Sequence, residues 1–398
     1  MSIEPLRYVF LGIAAIPFVY YLIAIFSSVR FFAGRHPEPS APGAFQPPIS
    51  NLKPVRGLDP GAYENFASFC RQDYPNYEIL FCVGDTTDPV LPVLQRLVRD
   101  FPQCQIRIVI GSGRIAANDK VAKLARMVDE ASHEHLVISD SDVRVAPDYL
   151  SRLVAPMADP QVGAVTCFYV PTEETSWVQS LQDVGMLSDF YPGILVARQL
   201  DGVKFALGPT IATTRARLQA FGGYAAIENQ PGDDLLVGRL IAEQGCEVVL
   251  LPYSISTVPD FQSIEDLSYK RLRWITVMRH MRPWGHMGLI FTLGLPWALL
   301  AVALDPSPAV IAGYLGGYFV ARAALTELVG GWGLKQPAVW KKLAWIPVWD
   351  AMATLIWLAS FARRTIRWRG QDYLIRDGEL VPVAPPETGA KAGSGVVP

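Results

Sequence analysis

Charge is scarce in this sequence, and what there is nearly cancels. Only 18% of the 398 residues are Asp, Glu, Lys or Arg, and 35 basic against 37 acidic side chains leave a net charge of −2. With no basic excess to neutralise phosphates, a polycationic nucleic-acid binder is excluded. Cysteine is also sparse. The five thiols, Cys70, Cys82, Cys104, Cys167 and Cys246, have no CxxC spacing, which speaks for buried free thiols in a reducing compartment over a disulfide framework. Nowhere does a GxSxG, HExxH or P-loop pattern occur, so hydrolase and ATPase classes lose support. What the chain has in abundance is apolar surface: 51% of it is hydrophobic. That much apolar surface collapses, and a disordered protein is excluded.

The apolar residues are concentrated at the two ends. Tyr8 to Val29 is a run of 22 residues without a charge, enough to cross a hydrocarbon core of about 30 Å. It is too long for a signal-peptide core and reads as a retained anchor. Arg30, Arg35 and His36 follow it while only Arg7 sits just before, a bias that places the residues after 30 in the cytoplasm. Near the other end, Pro283 to Leu304 is again 22 residues without charge. The segment 308–334 carries Arg322 and Glu327, and 343–362 carries Asp350. Basic clusters lie on both sides of the last segment, so one of the last two is expected to be re-entrant or interfacial, which would also suit the buried charges. Three or four spans are expected in all. A Gly313/Gly317 pair has helix-packing spacing.

The division that follows is an anchor (1–33), a Pro-rich linker (34–48), a soluble α/β domain (49–260), a basic interfacial helix (261–284) and C-terminal membrane segments (285–364). A cytoplasmic tail (365–398), disordered at its end, completes it. Within the soluble domain, short β-rich runs cover 77–83, 105–110 and 135–139. They alternate with helical patterns at about 60–72, 89–100 and 119–131. That alternation predicts a mostly parallel sheet with crossover helices, in which ligands sit beyond the carboxyl ends of the strands.

Acids at strand ends are therefore the candidates. Asp140-Ser141-Asp142 follows the strand HLVIS, and two carboxylates one residue apart can share a hard divalent cation with a substrate phosphate. A solvated Asx turn is the alternative. Asp85 also ends a strand and could accept from a base or ribose, although turn chemistry alone accounts for it. Asp233 and Asp234 open a helical run, where the macrodipole favours acids; a carboxylate there could also act as a general base. Gly111 to Ala116 fits GxGxxA, but it follows the third strand and does not open the domain, which argues against a nicotinamide site. His133 and His135 have no third ligand nearby. Residues 262–282 carry five basic against two acidic side chains. Lying just before an apolar span, they predict a helix drawn to anionic headgroups, and the same cations could hold a diphosphate.

In order, Asp85, Asp140-Ser141-Asp142, Asp234 and Lys270-Arg271-Leu272-Arg273-Trp274 resemble the D, D(x)D, D, (Q/R)xxRW series of membrane glycosyltransferases in families 2 and 21. The closer likeness is to ceramide glucosyltransferases and related bacterial hopanoid glycosyltransferases. Supporting segments are Leu52 to Gly57, Gln72 to Glu78, Asn118-Asp119-Lys120 and Trp368-Arg369-Gly370, and the resemblance spans about 50–375. It implies a GT-A fold (Rossmann-like, mostly parallel sheet) with transmembrane helices at both ends. It further implies an inverting transfer from a UDP-sugar to the hydroxyl of a membrane lipid, ceramide or a hopanoid, at the bilayer. On this reading Asp85 and Asp140 bind the nucleotide, and Asp140 and Asp142 hold Mg²⁺ or Mn²⁺. Asp234 is the base, and Lys270, Arg271, Arg273 and Trp274 form the diphosphate and acceptor site. Two departures stand out. Lys270 occupies the Q/R position, where a point charge replaces a planar fork, and Asp233 beside Asp234 leaves the base open by one residue. Animal ceramide enzymes often have Gly where Asp142 stands, which tilts the likeness toward a bacterial, inner-membrane subgroup. A non-catalytic lipid-binding scaffold is the alternative of a different class.

Overall fold

The computed structural model of the protein describes residues 4–34, 45–114, 116–172, 176–259, 261–368, 371–376 and 378–383. Most of the expected linker, with Arg35 and His36, lies outside them, as do Ile115, Arg369, Gly370 and residues 384–398. Eight strands form one sheet: β1 (Ile49–Pro54), β2 (Tyr77–Val83), β3 (Gln105–Ile110), β4 (His135–Ser139), β5 (Val143–Arg144), β6 (Val162–Pro171), β7 (Thr210–Thr214) and β8 (Glu247–Thr257). Their order is β3-β2-β1-β4-β7-β6-β8-β5. The first four in that order are parallel, β7 runs against both β4 and β6, and β8 is parallel to β6. The mostly parallel sheet expected from the alternation is present. β1, β2 and β4 are buried over nearly their whole length, the pattern of strands covered on both faces.

Helices Ala62–Cys70, Leu91–Asp100 and Tyr149–Val154 cover one face, closing a core that includes Phe66, Phe69, Phe81 and Leu94. Helices Asp119–Glu130 and Asp233–Glu243 cover the other through Leu124, Met127, Leu236 and Ile241. Because β1 pairs with β2 on one side and β4 on the other, the strand order reverses between β1 and β4. Crossovers leave in opposite directions at such a point and open a crevice at the carboxyl edge.

Among the described residues, three helices are long and apolar enough to cross a membrane: Glu4–Phe32, Pro308–Gly333 and Val339–Ala362, of 29, 26 and 24 residues. A fourth candidate, Pro283–Phe291 with Gly294–Leu304, is bent by 45°. The total of three or four agrees with expectation, but the break falls in the chargeless segment, not in one of the charged ones. Pro296 is the physical reason, since its ring opposes the carbonyl four residues back, that of Thr292. The Tyr21 hydroxyl fills the break, accepting from the Gly294 N–H at 2.9 Å and donating to the Thr292 carbonyl at 3.2 Å. Exposed Leu22, Phe26, Val320, Leu355 and Leu358 give these helices the apolar outer surface that lipid covers.

Two of the charges in the apolar segments, Arg322 and Asp350, are buried and paired with each other, while Glu327 leaves its Oε1 without a hydrogen-bond partner among the described residues. Arg322 Nε lies 3.1 Å from Asp350 Oδ2, and the Tyr318 hydroxyl donates to the same oxygen at 2.7 Å. Arg322 also bonds the Ser188 carbonyl and, at 3.3 Å, its hydroxyl. Ser188 belongs to a helical path the sequence patterns missed: Trp177–Gly185, a π turn Met186–Phe190, and Tyr191–Asp201. Its apolar residues face several directions because it docks the sheet onto the membrane helices. At Gly185 the approach is so close that a Cβ would meet the Trp349 ring at 2.2 Å. Ala24 and Phe31 of the first membrane helix share one core with Phe168, Leu187, Tyr191 and Leu325. The start of the expected tail is folded as well. β9 (Thr365–Trp368), β10 (Gln371–Arg376) and β11 (Glu379–Pro382) form an antiparallel sheet packed against Val277 and Ala117.

Breaking the Arg322–Asp350 pair from one side leaves a buried charge uncompensated, at a cost of about 3–5 kcal/mol. Arg322→Met and Asp350→Leu are therefore each expected to lower the melting temperature in detergent strongly. The double replacement should lower it less than either single one.

Candidate active site

The crevice between β1 and β4 is where the chemistry-bearing side chains gather. At the end of β4 the turn Asp140-Ser141-Asp142 leads into β5. Beneath it, fully buried Lys53 of β1 donates to the Asp140 carbonyl at 2.9 Å and the Ser139 hydroxyl at 3.1 Å, over the Phe69 ring. Burial pulls the Lys53 ammonium down to about 7, although Asp140, Asp142 and Asp59 pull the other way. Ser141 donates to the Asp59 carboxylate, and the Val258 N–H to the Asp142 carbonyl at 2.9 Å. The turn is thus pinned from below and from both sides.

A second acidic element meets it. Asp233 and Asp234 open helix Asp233–Glu243, where the dipole favours negative charge. On helix Asp119–Glu130, which covers the same face and is capped by Asn118, Lys120 lies 2.8 Å from Asp140 Oδ1 and 3.4 Å from Asp233 Oδ2. Burial works against its charge, but the two carboxylates outweigh that and hold Lys120 above the ordinary lysine range. Asp234 points elsewhere, against Gly208, where a Cβ would lie 3.0 Å from Oδ2. Burial first, then the charge of Asp233, push the Asp234 carboxyl up to about 6, against the opposing pull of Lys120. Near neutrality it is a carboxylate that accepts a proton readily. Asp85 stands apart. Exposed at the end of β2, it accepts from the Thr87 amide at 2.7 Å and the Thr87 hydroxyl, bonds that hold its carboxyl below the ordinary range.

Helix Ile264–Met281 begins with a capping box of Ser263 and Asp266 and places its basic residues in different surroundings. Lys270 lies 5.8 Å from the Trp274 ring, and Trp274 packs on Phe190 at 6.0 Å. Arg271 is buried. Its guanidinium sits 4.4 Å from the Trp349 ring and 5.0 Å from that of Trp274 and donates to the Met186 sulfur at 3.3 Å. Its burial pulls it down to about 10, against the attraction of Asp189, so it stays charged near neutrality. Arg273 follows on the same helix, half-buried. Arg279 bonds the Ser360 carbonyl and, at 2.7 Å, that of Arg363. It therefore caps the end of the last membrane helix instead of being free for headgroups.

Several contributors escaped the sequence reading. Tyr169, at the end of β6, is pushed above the ordinary tyrosine range by burial and senses Arg271, Asp234 and both acids of the turn. Buried Tyr224 has a hydroxyl without a hydrogen-bond partner among the described residues. Lys120 was visible only as part of Asn118-Asp119-Lys120, and Gly208 carried no signal. Among the described residues no group of three or more His, Cys, Asp or Glu could hold a metal. Two carboxylates with all-oxygen chemistry fit a hard cation that completes its shell from a diphosphate and water.

A family model described as Glycosyl transferase family 21 matches residues 9–381. Ceramide glucosyltransferase 1 of Caenorhabditis elegans is 25% identical over 316 residues, covering 76% of this chain and 63% of that protein. A ceramide glucosyltransferase of Gibberella zeae is 31% identical over 157 residues, covering 37% of this chain and 30% of that protein. The chain thus spans less than two thirds of the length of these two relatives. Among solved structures, the mannosyltransferase PcManGT from Pyrobaculum calidifontis, in complex with GDP-Man and Mn²⁺, superposes with a TM-score of 0.61 at 19% identity. That match covers 89% of this chain and 99% of that one, and it speaks for the GT-A fold alone.

If packing against Gly208 sets the position of Asp234, then Gly208→Ala is expected to displace the carboxylate without unfolding the protein. The check is carboxyl NMR on selectively labelled protein: the Asp234 resonance should shift while melting temperature changes little.

Proposed function

The chain belongs to glycosyl transferase family 21, and we propose that it is an inverting transferase moving glucose from UDP-glucose to the hydroxyl of a ceramide-type membrane lipid. The observation that carries this reading is the meeting of Asp140 with the Asp233-Asp234 pair across Lys120 at the carboxyl edge of the sheet. That edge is where a GT-A sheet takes its ligand. The ceramide glucosyltransferases among its relatives support the lipid acceptor. A hopanoid with UDP-N-acetylglucosamine is the second reading, favoured by Asp142 at the third position of the motif.

In the proposed reaction Asp85 accepts from the uridine part of the donor, while Asp140 and Asp142 hold Mg²⁺ or Mn²⁺ beside its diphosphate. When bound, the cation neutralises charge on the departing UDP. Lys270, Arg271 and Arg273 supply positive charge from the helix that faces the site, and Trp274 with Phe190 offers the lipid an apolar wall. Asp234, raised toward 6 and outside the ion pairs that Lys120 makes with Asp140 and Asp233, takes the proton of the acceptor hydroxyl as its oxygen attacks the anomeric carbon. Attack from the face opposite UDP inverts that centre, so an α-linked donor yields a β-glycoside. The domain works on the cytoplasmic side, and the bacterial inner membrane is its setting. Helices that share a core with the domain let the acceptor reach Trp274 without crossing water.

The test is the full chain in lipid nanodiscs with Mg²⁺ or Mn²⁺, labelled UDP-glucose and UDP-N-acetylglucosamine, and ceramide or hopanoid acceptors. Transfer to ceramide is expected, and Asp234→Asn should lose about 10²–10⁴-fold in kcat, the usual worth of a positioned base. Since Asp234 must be ionised to accept a proton, the rate should fall as pH drops through about 6 and level off above it. Absence of transfer to any lipid, or full activity in Asp234→Asn, would defeat the reading.

A further inference from the structure

Lys120 has no role in the reaction as described so far, yet it occupies the centre of the site. Its ammonium bridges Asp140 and Asp233 at 2.8 and 3.4 Å, with the side chain 15% exposed. An ammonium carries three donors, so two carboxylates leave one unspent. Beside it stands an independent sign of a missing ligand. Tyr224 is 2% exposed, its hydroxyl has no hydrogen-bond partner among the described residues, and it senses the charges of Asp233, Lys120 and Asp140. A buried hydroxyl left unsatisfied is destabilising, and a ligand with acceptor oxygens would relieve it.

We propose that Lys120 is a binding residue for the donor's diphosphate, parked on Asp140 and Asp233 while no donor is bound. This rests on the reading of Asp140 and Asp142 as ligands of a divalent cation. A cation arriving alone finds Asp140 already neutralised, and the two positive charges repel at close range. A diphosphate resolves the conflict because it has oxygens for both: the ammonium turns its free donor to a phosphate oxygen, keeps Asp233, and releases Asp140. Cation and diphosphate therefore bind cooperatively, each weakly alone, and the linkage is reciprocal. Lys120 also screens the incoming phosphates from Asp233, so the helix that carries the proposed base does not repel the donor.

The experiment is Mn²⁺ binding to the full chain in detergent, read by the electron-paramagnetic-resonance signal of free Mn²⁺, with and without inorganic pyrophosphate and then UDP. Lys120→Met is expected to bind Mn²⁺ alone more tightly than wild type. With Mn²⁺ present, it should bind pyrophosphate about tenfold or more weakly, the worth of one charged hydrogen bond. Lys120→Arg should recover part of the pyrophosphate affinity. Asp233→Asn leaves the ammonium wholly to Asp140 and should weaken Mn²⁺ alone, the opposite shift. Unchanged or weaker Mn²⁺ binding in Lys120→Met, or undiminished pyrophosphate affinity, overturns the proposal. If wild type takes Mn²⁺ with pyrophosphate but not with UDP, the UDP-sugar reading fails while the assignment of Lys120 stands. If it takes no Mn²⁺ at all, both fall.

Discussion

Four carboxylates cannot share the end of one sheet without positive charge between them. Two like charges 4 Å apart near a protein surface repel by about 4 kcal/mol, and Asp140, Asp142, Asp233 and Asp234 converge on one crevice. Two lysines answer this from different depths. Lys53 lies beneath the turn and binds its backbone, fixing where Asp140 and Asp142 begin. Lys120 reaches across the opening and binds the side chains themselves. Neither lysine pairs directly with Asp234, and there burial first, and then the charge of Asp233, push the carboxyl up to about 6 against the weaker pull of Lys120.

The membrane helices and the α/β domain are one packed body, and the short π turn Met186–Phe190 is where they join. Ser188 is held by Arg322 from one membrane helix, Met186 contacts Arg271, and Phe190 lies on Trp274. Five consecutive residues thus connect the buried ion pair of the bilayer region to the helix that faces the site. A π turn shifts side chains off the ordinary helical register and recurs at functional sites. Here the shift lets residues so close in sequence serve three different neighbours. Because Arg322 spends its hydrogen bonds on both Asp350 and Ser188, the charge that looked out of place in an apolar segment anchors the domain to the membrane.

Much of this was legible in the sequence, and the failures have physical causes. β2, β3 and β4 fall on the residues expected, because β-branched runs bounded by turn chemistry leave little choice of register. The helix Trp177–Asp201 was not seen because it is covered on several sides, so no single apolar stripe marks it. The β9–β11 sheet follows a span and precedes a Pro-rich end, and its strands are too short to stand out from a tail. The break before Gly294 depends on Pro296, which was visible, but its stability depends on Tyr21 some 270 residues earlier, which was not. Lys120 shows the same limit. Local sequence offers a capped helix with a lysine in its first turn, and only the fold brings two distant acids to it.

Asp233 and Asp234 show why neighbouring residues of one kind need not be interchangeable. Successive residues on a helix are about 100° apart, so two side chains in the first turn of one helix face different surroundings. Asp233 turns toward Lys120, 3.4 Å from its ammonium. Asp234 turns toward Gly208, where the missing side chain leaves room for its oxygen, with burial and the neighbouring charge both raising its affinity for a proton. The helix dipole favours both as anions and so cannot distinguish them. Their partners do: Lys120 sits on Asp233 while Asp234 packs against Gly208, which is why Asp234 is the one proposed as the base.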